Sequence, residues 1–235
     1  VGRENGRLYR GDDTVITHGE LPPVLIGAWA VMAILIAFAL MARRALRRAS
    51  DALLPDASIS LRSLAEAVVE GLDKFTAEVL ETHDYRGFVP YFGSLFLFIL
   101  VCNLTGLIPG MEPPTAFSDL TFALGAISFV YYIYHGLRAR GVGYLRGFLG
   151  PMLVLSPLML PLEVADNLFR PFSLGVRLYA NMFADHQVLS IFTQLTKLII
   201  PLAFYALGTL VCFIQAMVFT VLSMGYVKIA QSAEH

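Results

Sequence analysis

Residues 158–194, LMLPLEVADNLFRPFSLGVRLYANMFADHQVLSIFTQ, decide how the chain is read. The stretch is apolar enough to lie in a bilayer, yet it carries Glu163, Asp166, Arg170, Arg177, Asn181, Asp185 and His186, which a lipid-facing helix does not tolerate. At about 100° per residue, with Arg177 as zero, Asn181 falls near 40°, Asp185 near 80°, Arg170 near 20°, Glu163 near 40° and Asp166 near −20°. One helical face therefore gathers nearly all the polar groups, while His186, near 180°, points away from it. A guanidinium stays protonated and is costly in hydrocarbon, so Arg177 must meet water, a carboxylate or another protein. An internal ion pair that fixes helix packing is the structural alternative, with Asp185 as the nearest acid on that face two turns away.

The chain outside this stretch belongs to the same class. It has 235 residues, 57% hydrophobic and only 15% charged, too apolar for an ordinary soluble domain, and so it reads as a polytopic membrane protein. A net charge of −1 argues against a nucleic-acid partner. Cys102 and Cys212 both sit inside apolar runs and read as free thiols packed among helices.

Residues 1–20 lack apolar periodicity and read as a watery external tail, leaving 21–235 as the membrane domain. Residues 21–42 are long enough to cross the hydrocarbon once and end in Arg43, Arg44, Arg47 and Arg48, which marks the cytoplasmic side. After a polar connection at 49–57, Leu61, Leu64, Val68, Leu72, Phe75 and Val79 recur at helical spacing with charges on the other faces, the pattern of an amphipathic helix on the membrane surface or on neighbouring helices. Ser63 and Glu66 have capping-box spacing. Runs at 88–108 and 116–137 are the second and third spans. The loop between them has no basic residue, whereas the next carries Arg138, Arg140 and Arg146, so the first lies outside and the second inside. From Pro151 to about Ile199, nearly fifty residues of helix would far exceed a bilayer of ~30 Å, so the prolines break it or it is strongly tilted. A last run to about Ile229 leaves the C-terminus cytoplasmic.

The segment SLGVRLYANMFADH, residues 173–186, resembles the SLG-x-R-L-(F/Y)-x-N-M signature of subunit a of F-type ATP synthases, the membrane stator that conducts protons past a rotating ring of c subunits. NLTGLIPG at 103–110, PPTAFSDLTFALG at 113–125 and IQAMVFTVLSMGY at 214–226 resemble other blocks of that family in family order, so the likeness covers roughly residues 58–235. It implies an all-α membrane protein of five embedded helices plus one amphipathic surface helix, the last two long and inclined against the c-ring. It also implies two offset aqueous half-channels separated by Arg177, which meets each c-subunit carboxylate and holds it charged.

Asn181 and Gln215 match the family's amides beside the arginine; the alternative for both is interhelical packing. Glu163, about 21 Å from Arg177 along a helix, matches an acid of the cytoplasmic half-channel. Asp119 and Asn103 are candidates for the external side, although Asp119 could equally cap its helix. Asp185 and His186 lie toward the external side, and His186 stands where many relatives hold a titratable residue. Gly208, by contrast, stands where relatives often carry His or Glu, and the expectation is that it leaves room for Asp185. Arg170 and His135 read as interfacial residues.

The implied partners are the c-ring, the peripheral-stalk subunit b, other ATP synthase subunits and lipid, with a bacterial inner membrane as the location. No glycine-rich phosphate loop is present, so ATP chemistry belongs to other subunits, and neither cofactor nor metal is expected. A stand-alone carrier would show two repeated halves, and an intramembrane hydrolase would need H-E-x-x-H or G-x-S-x-G; the sequence has none of these.

Overall fold

The computed structural model describes residues 23–48, 61–82, 84–108, 110–141, 156–195 and 199–231. The expected tail at 1–20, the connection at 49–57 and Arg146 lie outside them. The described residues form six α-helices: α1 (Pro23–Arg48), α2 (Leu61–Leu80), α3 (Val89–Thr105), α4 (Ser118–Arg140), α5 (Ser156–Leu195) and α6 (Ile199–Gln231). Two short 3₁₀ turns, Tyr85–Gly87 and Pro114–Ala116, precede α3 and α4.

Three segments are long and apolar enough to cross a membrane: Val24–Arg44, Ser118–Ala139 and Leu202–Gln231. Helix α3 is equally apolar but shorter, with Pro90 in its first turn and Gly106 just past its end, so it stops short of the expected Ile108. Helix α4 stops at Gly141, whose φ of +55° suits glycine and whose N–H bonds back to the Leu137 carbonyl at 2.7 Å. Helix α5 runs for 40 residues, ~60 Å, with Pro161 and Pro171 inside it. The prolines do not break it.

The core lies where α3, α4, α5 and α6 meet, around Phe92, Ile99, Tyr132, Leu174, Leu178, Ala216, Phe219 and Met224. Buried Ser128 on α4 donates to Ser223 on α6 at 2.8 Å, joining two helices by a polar contact inside apolar surroundings. Helix α1 is mostly uncovered; Trp29 is 67% exposed. A cavity of about 1150 Å³ opens between α1, α2, α3 and α4.

Helix α2 is amphipathic as expected, but its buried residues are Ala65, Thr76 and Leu80, whereas Leu64 and Val69 are exposed. The expected stripe is borne out in part, with Leu72 on Gly93 of α3 and Phe75 and Val79 against the core, but the most buried line runs to one side of it, through Ala65, Thr76 and Leu80. Ser63 lies within α2 rather than at its start, so it does not cap the helix.

Contacts define two ends of the bundle. At one, Gly27 of α1 approaches Pro114 of the α3–α4 loop. At the other, Phe88 packs on Tyr131 and His135 of α4, and Lys228 of α6 pairs with Glu81 after α2 at 2.8 Å. This second end also receives the arginines that close α1 and α4, and is called the basic end below; the first is the loop end.

Candidate functional site

Helix α5 presents two different faces. Leu174, Leu178 and Met182, four residues apart, are buried in the core together with Gly175. Arg177, two residues from Gly175 and so about 200° around the helix, is exposed, as is Asn181 one turn on. Arg177 makes no ion pair or hydrogen bond among the described residues, so the internal pair with Asp185 does not form. Apolar side chains of the same helix, including Phe172 and Phe183, are also exposed, about 120–140° around the helix from it.

Asn181 Nδ2 donates to Gln215 Oε1 of α6 at 2.7 Å. Gln215 is 4% exposed, and its Nε2 is buried without a partner. The helical spacing of Arg177 and Asn181 thus brings the arginine next to an amide pair that spans α5 and α6.

Toward the loop end, Asp185 turns to α6. A Cβ built on Gly208 would stand 3.1 Å from Asp185 Oδ2 and 3.0 Å from Leu107 Cδ2, so the carboxyl group occupies space that a side chain at 208 would claim. His186 is half-buried, on the far side from Arg177 as the helical count requires, with Nδ1 enclosed and unpartnered.

The two external-side candidates differ from one another. Asn103 is buried at 1% exposure; its Oδ1 accepts from Thr115 at 2.7 Å, and its Nδ2 donates to the Cys212 carbonyl at 3.3 Å. It bridges α3, the α3–α4 loop and α6. Asp119 is exposed in the first turn of α4, where its charge faces the positive end of the helix dipole. The N-cap is Phe117 and makes no side-chain cap bond, so Asp119 does not cap α4.

Toward the basic end, Glu163 is exposed. Arg170 is held by Asp166, with Nε to Oδ2 at 3.1 Å, and its guanidinium lies 5.5 Å from the centre of the Tyr226 ring. The ring contact ties Arg170 to α6. His135 likewise packs among Phe88, Tyr131 and Tyr134.

The chain matches the family of the ATP synthase A chain over residues 25–228. It is 42% identical over 195 residues to ATP synthase subunit a of Bdellovibrio bacteriovorus, covering 83% of this chain and 85% of that one. ATP synthase subunit a 1 of Pelobacter propionicus is 38% identical over 85% of this chain and 83% of its own. ATP synthase subunit a of Oleidesulfovibrio alaskensis is 38% identical over 88% and 84%.

The chain belongs to the ATP synthase subunit a family. As a family member it is a membrane subunit that carries no ATP chemistry of its own, and proton transport follows from the family. Among the described residues no cluster of His, Cys, Asp and Glu could hold a metal ion. What the subunit a site offers is a series of polar groups along α5: carboxylates, amides, which can donate and accept without carrying charge, and two arginines, of which Arg170 is paired with Asp166 and Arg177 has no partner among the described residues.

Two residues at this site were missed from sequence. Tyr132 of α4 donates to Asn167 of α5, at 2.9 Å to Oδ1 and 3.3 Å to the backbone oxygen. Pro171 was the available signal, since a proline leaves the carbonyl four residues earlier without its helical N–H. No sequence pattern pointed to Tyr132 as the group that answers it.

Proposed function

We propose that this member of the subunit a family is the proton-translocating stator of a rotary F-type ATP synthase. Five embedded helices, α1, α3, α4, α5 and α6, cross or enter the bilayer, α2 lies at its surface, and α5 and α6 incline against the c-ring. Two offset half-channels open to opposite sides, and Arg177 separates them. The observation that carries this reading is Arg177 itself: exposed, without an internal counter-ion, and near the middle of the longest helix. A fixed cation so placed suits a carboxylate that arrives on another subunit.

The roles follow from position. Asp185 and His186 serve the external half-channel, with Asp119 near its mouth, and Glu163 serves the cytoplasmic one. Asn181 and Gln215 orient Arg177 and its water. Asn103, with its hydrogen-bonding atoms spent on Thr115 and Cys212, braces the wall of the external path. Gly208 makes room for Asp185, so the acid comes from α5 where relatives place a titratable group on α6. The exposed flank of α1 and the apolar cavity beside it suit a transmembrane helix of the peripheral-stalk subunit b, with lipid around the remainder. The location is a bacterial inner membrane, with residues 1–20 outside and the C-terminus in the cytoplasm, as the arginines at the basic end favour.

ATP-driven acidification of inverted vesicles tests this reading with Arg177→Ala. Loss of pumping in complexes that still assemble is expected. Normal pumping by assembled complexes would remove Arg177 as the separator and favour a stand-alone carrier.

A further inference from the structure

Helix α4 touches α5 at three heights. Nearest the loop end, a Cβ on Gly175 would stand 3.2 Å from the Thr121 carbonyl and 2.9 Å from the Phe122 ring. One turn along, a Cβ on Gly125 would stand 2.6 Å from the Pro171 carbonyl oxygen, so the two backbones all but meet. Nearer the basic end, the Tyr132 hydroxyl reaches Asn167. The first two contacts are close approaches of glycine to backbone and ring, and carry no side-chain hydrogen bond between the two helices among the described residues. Only the third is directional.

It also answers a local need. Pro171 has no N–H, so the Asn167 carbonyl lacks its helical donor, and an unanswered carbonyl inside a membrane protein is unfavourable. Asn167 Nδ2 is fixed on the Glu163 carbonyl at 2.9 Å, which turns Oδ1 to Tyr132. Tyr132 cannot shift to meet a displaced α5, because it is 1% exposed and packed edge-on against Phe129.

We propose that Tyr132 is a positioning residue for Arg177, and that its bond to Asn167 sets the height and rotation of α5 on α4. Arg177 lies ten residues beyond Asn167 on the same continuous helix. A slip of one residue at Asn167 therefore moves the guanidinium by about 1.5 Å along the axis and turns it by about 100° if the helix moves as a screw. The close contact at Gly175 sits about 200° from Arg177, so the face that α4 holds is the one that turns Arg177 outward. The inference rests on Arg177 as separator of the half-channels.

The test is a double-mutant cycle in the whole complex, in inverted vesicles, with Tyr132→Phe, Asn167→Ala and both together, and Arg177→Ala as control. ATP hydrolysis, proton pumping and the amount of assembled complex are measured in each. Tyr132→Phe is expected to keep ATP hydrolysis per complex while pumping per ATP falls, by between roughly three-fold and the ~100-fold that a 1 Å misplacement can cost. The double variant is expected to fall clearly short of the sum of the two single losses, because both remove the Tyr132–Asn167 Oδ1 bond. Unchanged pumping per complex by Tyr132→Phe, with Arg177→Ala inactive, overturns the positioning role alone. Losses that add in the double variant overturn it too, as does a Tyr132→Phe defect confined to assembly. Normal pumping by Arg177→Ala instead overturns the reading on which the inference rests.

Discussion

Asp185 has its place because residue 208 has no side chain. The carboxyl oxygen stands 3.1 Å from where a Cβ would be, closer than side chains pack at rest. On the reading that Asp185 feeds the external half-channel, Asp185→Gly should cut proton flux in assembled complexes at least ten-fold, in line with the ~10²–10⁴-fold contribution of a positioned proton-transfer group. Flux at the wild-type level in vesicles would show that the acid is a bystander. Much of this was legible in the sequence: charges inside an apolar run must share a face, and a helical count sorted Arg177 and Asn181 from His186. The bond from Asn181 to Gln215 was not legible as geometry, since periodicity places residues on one helix and says nothing of the height at which a second helix passes. Resemblance supplied that pair as neighbours of the arginine. It gave Asn103 no bridging role, because Thr115 and the Cys212 carbonyl meet it only after the loop has folded back.

Helices α4 and α5 approach so closely that their contact tolerates no addition. A methyl group at 125 would collide with the Pro171 carbonyl at 2.6 Å, and backbone cannot swing aside as a side-chain end can. Gly125→Ala should therefore destabilise the packing by ~1–3 kcal/mol, the usual range for overfilling a packed interior, and lower the amount of subunit retained in membranes or the melting temperature of the purified complex. Unchanged values in both would mean the helices separate without cost. The helices themselves were legible from length and hydropathy, and the ends of α3 and α4 fell within a few residues of expectation. The continuity of α5 was not: proline marks where a hydrogen bond is lost, but whether a helix breaks there depends on what replaces the bond, and here Tyr132 lies on another element. The face that α2 buries shifted for a similar reason, since its apolar stripe is wider than the contact that α3 and α6 offer it.

At the scale of the molecule, the basic end is tied by Lys228 of α6, which reaches both Glu81 at 2.8 Å and the Val79 carbonyl at 3.4 Å. The hydrogen bond and charge of Lys228 hold the Glu81 carboxyl below its ordinary value of 4.5. A depressed folded-state value contributes stability that is full above 4.5 and is lost as pH falls through the lower value. Because the pair is exposed, its effect is small and screened by salt. Melting temperatures of wild-type and Glu81→Gln complexes should thus differ slightly at neutral pH and low salt and converge in acid; a difference that grows in acid would contradict the pairing. Arg177 has a larger consequence. It sits within two residues of the midpoint of a 40-residue helix, with no carboxylate paired to it among the described residues. A solitary copy would draw water and headgroups inward to solvate that guanidinium, dimpling and thinning the surrounding leaflets. On the reading that a c subunit covers this face, its arrival flattens the membrane again, and bilayer deformation itself then favours the finished assembly over its parts.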